Sequence, residues 1–315
     1  MGLLIGMDEA GYGPNLGPLV VTVTAWDVPG DPAQCDLWDA FADVVANCPA
    51  SNDDRLHLAD SKQVYSPSLG LRRLEETVLA AGALHGLDTS TYRTLVRVLT
   101  PGQTDPCNGE PCVSDADLLL PHTQPDADPK SIDVQRWRES CEEHGIRLRS
   151  VQCDVVWPRR WNSLLTQGNK AETLSTLSLR LLRRVWDPGD SEPALIVADK
   201  HGGRNRYDTY LQEIADGAMI FRLQESRRVS RYRVGRSEIR FQQEGESHLP
   251  VALASMFAKY VRELSMELFN RFWAVHVPDV KPTKGYPRDA RRFRADIADA
   301  QQRLGISDAS LWRER

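Results

Sequence analysis

GMDEAGYGPNLGPLVVTVTAW, residues 6–26, is the stretch on which the fold turns. Residues 3–7 (LLIGM) and 18–26 (PLVVTVTAW) read as strands, the second rich in Val and Thr. The Gly/Pro/Asn segment between them can only turn. Two strands this close predict an antiparallel hairpin that starts a mixed sheet. The first strand ends on Asp8-Glu9, and neighbours on a regular strand face opposite sides. The two carboxylates can therefore share a pocket only if the pleat breaks there. The following Ala-Gly-Tyr-Gly-Pro is expected to supply that break.

Working outward, LRRLEETVLAAGAL (71–84) has helical spacing, whereas 101–130 is crowded with Pro, Asp and Gly and reads as a long loop or insertion. A helix at about 131–144 and a strand at 146–156 come next. Residues 170–186 form an amphipathic helix on Leu174, Leu177, Leu181 and Val185. ALIVA (194–198), ending at Asp199, is wholly apolar, as a buried central strand would be. A helix over 205–215, a strand near 218–223, exposed strands over 228–242 and a long helix over 250–273 follow. A basic, Pro-containing tail with one more helix closes the chain. No internal repeat is evident, and strands alternating with helices make an α/β domain.

A length of 315 residues allows one large domain or two small ones. The net charge of -5 gives no global pull toward nucleic acid, so any such binding must come from local basic clusters. Two exist: Arg222, Arg227, Arg228, Arg231, Arg233, Arg236 and Arg240, then Lys281, Lys284, Arg288, Arg291, Arg292 and Arg294. Charge runs are commonly just solvated faces, but two basic clusters in an acidic protein favour a polarised surface. The opening MGLLIGMDEAGYG has no basic leader and its apolar run is broken by Asp8, so no secretory signal is expected. No run reaches the length of a membrane span. Six scattered cysteines then imply reduced thiols in a cytoplasm. Cys107 and Cys112, with Cys141 or Cys153, could contribute to a zinc site, but their spacing is no strong metal signature and ordinary thiols are favoured.

The chemistry starts from Asp8, Glu9 and Asp199. Carboxylates at the strand ends of an α/β sheet point into the crevice where such folds place their sites. Uncompensated carboxylates are costly unless a cation binds them, and hard oxygen donors suit Mg²⁺ or Mn²⁺. Two such ions about 4 Å apart would activate a water and stabilise the leaving oxygen in phosphodiester cleavage. The alternative is structural: Asp8 and Glu9 cap a turn, and Asp199 caps the helix after it. Spacing leaves both open. Glycines in Gly11-Tyr12-Gly13-Pro14 allow the close backbone approach that can distinguish a sugar 2′-OH, though many Gly-x-Gly sequences are merely tight turns.

The string at 6–26 resembles the first hairpin of the prokaryotic type 2 and type 3 ribonucleases H, in which Asp-Glu-x-Gly-x-Gly leads into Gly-Pro and a second strand. LADSKQV (58–64), ALIVADK (194–200), ESHLPVALASMFAKYVREL (246–264), KGYPRDARRF (284–293) and the closing LGISDASLWRER resemble further blocks of that family, in its order and over nearly the whole chain. The resemblance implies Asp8, Glu9 and Asp199 as metal ligands, with Glu246 as the fourth and Glu244 as the fallback. It implies Gly11, Tyr12, Gly13, Lys62, Lys259 and Tyr286 as substrate-binding residues. For Lys259 a snorkelling helix lysine is a fair alternative, and for Tyr286 a half-buried core tyrosine. This chain departs from the pattern in three places. Tyr12 stands where the family usually has Arg, which bears on recognition of a single ribonucleotide at a junction. Lys200-His201-Gly202 follows Asp199 in place of the usual Gly, which would put a cation next to the metals. The span from Asp60 to Asn169 is longer than the family needs. The type 3 branch's separate N-terminal substrate-binding domain is not expected, because the first strand begins almost at Met1.

The resulting expectation is an α/β fold, a ribonuclease H-like mixed β-sheet flanked by helices. It would be one catalytic domain over 1–315, with an insertion at about 101–130 and a helical extension at about 250–315. The expected activity is two-metal endonucleolytic cleavage of the RNA strand of RNA/DNA hybrids, with Mg²⁺ or Mn²⁺ as cofactor. The hybrid is the expected partner, in the cytoplasm, with no membrane and no obligate protein partner. Two alternatives are a catalytically weak nucleic-acid binder of the same fold and an unrelated metal-dependent phosphotransferase. The second would need a phosphate-cradling loop such as G-x-x-x-x-G-K-[ST], which is not found.

Overall fold

The hairpin forms in full. In the computed structural model, which describes residues 1–50, 53–66, 68–123, 132–166, 168–201 and 203–314, β1 (Gly2–Ala10) runs antiparallel to β2 (Leu19–Val28). Leu4 and Ala10 of β1 face one core while Leu3, Ile5 and Met7 face another. Apolar side chains on both faces make this a central strand.

Smaller elements follow: α1 (Leu37–Ala40), the paired β3 (Val45–Ala46) and β4 (Leu56–His57), α2 (Ser61–Val64), α3 (Arg72–His85) and α4 (Tyr92–Leu99). Helix α4 was not anticipated from the sequence, although Thr91 caps it and Tyr92, Leu95, Val96 and Leu99 are buried. The expected insertion is built of turns and bends across 101–123. Its remaining residues, 124–130, lie outside the described residues. Then come α5 (Ile132–His144), β5 (Arg147–Val156), α6 (Pro158–Leu165), α7 (Lys170–Leu182), β6 (Ala194–Asp199), α8 (Asp208–Gln212), β7 (Ile220–Glu225), β8 (Val229–Val234) and β9 (Ser237–Gln242). The chain closes with α9 (Leu249–His276), α10 (Pro287–Asp296), α11 (Ala298–Arg303) and α12 (Asp308–Leu311).

The main sheet has seven strands in the order β5-β2-β1-β6-β9-β8-β7. β1, β6 and β9 are parallel to one another, and the remaining pairings are antiparallel. Helices cover both faces. Helix α9 packs on one side with α3, α4 and α5, while α7 and α8 pack on the other. This is the mixed sheet flanked by helices, with helices at the C-terminal end, that the sequence predicted. No helix among the described residues is long and apolar enough to cross a membrane.

Helix α9 can lie against the hairpin because Gly6 has no side chain. A Cβ there would collide with the backbone of Pro250 and Val251. Thr24 fixes the same contact by donating to the Pro250 carbonyl at 2.8 Å.

Three sequence expectations need correction. The helix predicted over 205–215 shrinks to Asp208–Gln212, because the Arg204 and Asn205 carbonyls accept bonds from Lys200 and Ser230 instead of from a helical ladder. The strands over 228–242 are not exposed: Tyr232, Val234, Ile239 and Phe241 are buried, and the outer edge belongs to β7. The helix from residue 170 ends at Leu182, so Val185 lies beyond it.

Candidate active site

The predicted break in the pleat does not occur. β1 continues through Ala10, with Asp8 opposite Thr22 and Glu9 opposite Val21 on β2. What ends is the pairing on the other side, since β1 and β6 last meet at Met7 and Ala198. A notch opens there between diverging strand ends, and Asp199, the last residue of β6, borders it. By alternation Asp8 emerges on the α9 face of the sheet and Glu9 on the α7 face. The two carboxylates thus border the notch from opposite faces.

Their surroundings bear this out. Burial pushes the Asp8 carboxyl above its ordinary range; a hydrogen bond with Ser255 opposes the rise, and the charges of Asp199 and Asp60 add to it. Glu9 is raised by burial and then by Asp8 and Asp199. Asp199 is also raised by burial, although it accepts hydrogen bonds from the backbone of Lys200 and Gly245. Asp199 caps no helix, because α8 begins after Tyr207.

Glu246 lies in the short 3-10 turn Gly245–Ser247 ahead of α9, where burial and the charges of Asp60 and Asp199 raise its pKa. Glu244, the fallback, is exposed and holds the left-handed backbone that begins this turn, with φ 59°. Of the two, Glu246 joins the cluster.

Two residues at the notch were given no role from the sequence. Asp60 caps α2 by accepting from the Lys62 N–H at 3.0 Å, and its charge reaches Asp8, Asp199 and Glu246. Ser255, on α9, bonds Asp8, and its Oγ lies 3.1 Å from Ser61 Oγ. Both sit inside quoted blocks, Asp60 in LADSKQV and Ser255 in ALASMFAKY, so the signal was present without a reason to single them out.

The predicted substrate-side residues divide. Lys62 is at the mouth of the notch: its side chain is 87% exposed, its Nζ is 3.6 Å from Asp60, and the surrounding carboxylates hold its pKa up against the lowering by burial. Gly11, Tyr12 and Gly13 form the loop leaving β1, and Tyr12 feels the charge of Glu9. Tyr286, 55% exposed, caps α10 with its ring beside Gly13, where a Cβ would lie 3.7 Å from it. It is no core tyrosine. Lys259 is not brought to the carboxylates, because its Nζ is 2.7 Å from Glu263 and stacks over Tyr65.

Lys200 does not sit as a cation beside the acids. Its ammonium donates to the Arg204 and Ser226 carbonyls, Asn205 Oδ1 and Ser230 Oγ, at 2.8–3.1 Å. The basic clusters are thinner than the sequence implies. Arg222, Arg231 and Arg240 pair with Asp208, Glu225 or Glu238, while Arg227, Arg228, Arg233 and Arg236 are exposed. In the second cluster Lys284, Arg292 and Arg294 pair with acids, and Lys281, Arg288 and Arg291 are exposed. Cys107, Cys141 and Cys153 are buried thiols pushed up to about 12 by burial, and Cys112 is raised further.

The donor set at the notch is all oxygen, partly buried and mutually repelling, which suits a hard divalent cation. Among the described residues, however, no three His, Cys, Asp or Glu side chains are arranged as a ligating group. The chemistry of the donors fits a metal, and a cation would have to draw them together.

No protein-family model matches the chain, nor does any curated protein. Among solved structures it is similar to that of the PCNA:RNase HII complex from Archaeoglobus fulgidus, with 16% identity and a TM-score of 0.42 over 99% of this chain and 94% of that one. It is also similar to ribonuclease H2 from Pyrococcus horikoshii OT3, with 13% identity and a TM-score of 0.43 over 98% and 92%. For Bst-RNase HIII in complex with Mn²⁺ the values are 16% and 0.42, over 99% of this chain and 66% of that one. At these identities and TM-scores the likeness carries no weight on chemistry, which rests on the chain's own residues.

Proposed function

We propose that this protein is a metal-dependent endoribonuclease that hydrolyses the RNA strand of RNA/DNA hybrids. The observation that supports the reading is that Asp8, Glu9, Asp199 and Glu246 border one notch beyond β1 and β6, with Asp60 as a fifth acid, near enough for their charges to act on one another though not drawn into a ligating group. Burying like charges without partners is unfavourable, and a site that keeps them together is suited to a cation.

In this reading Asp8, Glu9, Asp199 and Glu246 would hold Mg²⁺ or Mn²⁺. When bound, such ions supply Lewis acidity that activates water for in-line attack and steadies the leaving oxygen, giving 5′-phosphate and 3′-hydroxyl ends. Ser255 orients the Asp8 carboxylate, and Lys62 offers a point charge to a phosphate. The Gly11-Tyr12-Gly13 backbone approaches the sugar, and Tyr286 packs against it. Lys259 reaches the substrate backbone only by releasing Glu263. The exposed arginines near β7 and β8 and the exposed basic residues of α10 guide the phosphate backbone. One catalytic domain acting in the cytoplasm completes the proposal.

A second reading, a nucleic-acid binder of the same fold that does not cut, is favoured by one observation. The acids are not gathered into a ligating group among the described residues. One experiment separates the two: incubation of labelled RNA/DNA hybrid, and of a duplex holding one ribonucleotide, in Mg²⁺ and in Mn²⁺. Wild type is expected to cleave the hybrid while Asp8→Asn and Asp199→Asn do not. Binding without cleavage selects the second reading, and equal cleavage by the variants sinks the carboxylate mechanism.

A further inference from the structure

The loop between β1 and β2 is held from beneath by two buried arginines that pair with no carboxylate among the described residues. Arg262 of α9, 3% exposed, donates to the Pro18 carbonyl at 2.7 Å and the Lys284 carbonyl at 3.0 Å. Arg313, 1% exposed, comes from the far end of the chain. Its Nη2 donates to the carbonyls of Gly11 and Pro14. Its backbone pairs with Asn15 in both directions: Arg313 N–H to the Asn15 carbonyl at 2.7 Å, and Asn15 Nδ2 to the Arg313 carbonyl at 3.0 Å.

The segment bearing Arg313 is itself tied down at a distance from the acids. Asn162 on α6 donates to the Trp312 carbonyl at 2.7 Å and accepts from the Glu314 N–H at 2.9 Å. Trp161 Nε1 donates to the Glu314 carbonyl at 3.1 Å, and its ring lies 5.6 Å from the Arg313 guanidinium carbon. The result is a strap across the loop.

A buried guanidinium without a counter-charge is an expensive way to hold a turn, and among the described residues no acid pairs with Arg313 and none bonds its Nε or Nη1. What the arrangement secures is peptide orientation. In a trans peptide the C=O and the following N–H point in opposite directions. Drawing the Gly11 carbonyl onto Arg313 therefore turns the Tyr12 N–H to the other side. Gly11, at φ 93°, permits this geometry, and a Cβ there would strike the Pro18 carbonyl oxygen at 2.6 Å.

We infer that Arg313 is a positioning residue: through the C-terminal strap it holds the Gly11–Pro14 peptides in the orientation that receives the nucleic-acid strand. The strap thereby sets substrate affinity, whereas the notch acids set the chemical step. The inference rests on the nuclease reading for its substrate, but not for the mechanical coupling between strap and loop.

The test compares wild type with Arg313→Met, which removes the donors, and Arg313→Lys, which restores charge and one donor. Three readouts are used: amide hydrogen exchange across residues 11–17, kcat and KM on a labelled hybrid, and Mn²⁺ affinity by calorimetry. Arg313→Met is expected to speed exchange at 11–17 and raise KM about tenfold, with kcat and Mn²⁺ affinity within about twofold of wild type. Arg313→Lys should recover part of the KM. Asn162→Ala keeps Arg313 and loosens only the strap's anchor; it should show the same pattern, weaker, and serves if Arg313→Met does not fold. Unchanged exchange at 11–17 overturns the coupling. Faster exchange with unchanged KM, or a parallel loss of Mn²⁺ affinity, overturns the positioning role. Failure of wild type to cut any hybrid would sink the nuclease reading instead, and the strap would still be judged on exchange.

Discussion

One helix stands beside acids that live under opposite rules. At Ser255, α9 meets the notch, where Asp8, Glu9, Asp199 and Glu246 are all raised above the ordinary carboxylate range by burial and by one another. Eight residues on, about 12 Å along the axis, Glu263 is buried outright. It accepts from Lys259 at 2.7 Å, Lys284 at 2.6 Å and the Tyr65 hydroxyl at 2.7 Å. Burial alone would raise its pKa, but the two lysines overcome that and hold it at about 2. The difference separates an acid whose charge two lysines satisfy from acids whose charge is only partly offset, by Lys62 and by hydrogen bonds. It also explains why Lys259 is absent from the notch.

The largest effect expected from breaking this contrast is on activity. Asp8→Asn or Asp199→Asn should lower hybrid cleavage by roughly a thousandfold or more, measured as single-turnover rates in Mg²⁺. The same substitutions remove repulsion, so the metal-free melting temperature should rise. A marked fall in melting temperature would show that the notch acids are structural after all.

Glu263→Gln should behave in reverse. Stability falls by about 2 kcal/mol in urea unfolding, while Mn²⁺ affinity is untouched. Loss of metal binding in this variant would erase the distinction between the two regions.

The pH dependence should also split. Glu263 has a folded pKa below its unfolded one, so its contribution is complete above the ordinary value of 4.5 and is lost as pH falls toward about 2. Glu263→Gln should flatten the stability profile in that window. The notch acids have folded pKa values above their unfolded ones, so the metal-free fold holds protons that the unfolded chain releases. Their effect is a loss of stability as pH rises above the ordinary carboxylate range, and Mg²⁺ or Mn²⁺ should remove that slope. Melting curves with and without metal test both signs.

The smallest effect concerns Lys62, which stands in solvent at the mouth. Lys62→Ala should raise KM a few-fold and reduce the salt dependence of hybrid binding by about one unit of slope. An unchanged slope would mean that Lys62 answers Asp60 rather than a phosphate.

Much of this architecture was legible locally. The hairpin, the buried strand ending at Asp199 and the long helix from residue 249 follow from apolar runs, turn residues and periodicity, which act over a few residues. Asp8, Glu9 and Asp199 were legible as strand-end acids for the same reason. What no short stretch could show was how they meet. The pleat does not break at Asp8-Glu9; the neighbouring strand simply ends, a fact that belongs to the register between β1 and β6. Asp60 enters because α2 is carried to the notch, and Lys200 leaves it because four oxygens from three other segments claim its ammonium. Arg313 reaches Gly11 across the whole length of the chain. The sequence by itself determined the hairpin, the buried strand to Asp199 and the long helices, because those preferences are set by neighbours in the chain; α4 and the shortened α8 were not so determined. Which charges end up paired and which stay unanswered was decided by the tertiary structure, because Coulomb attraction and desolvation depend on distance in space and not on order along the backbone.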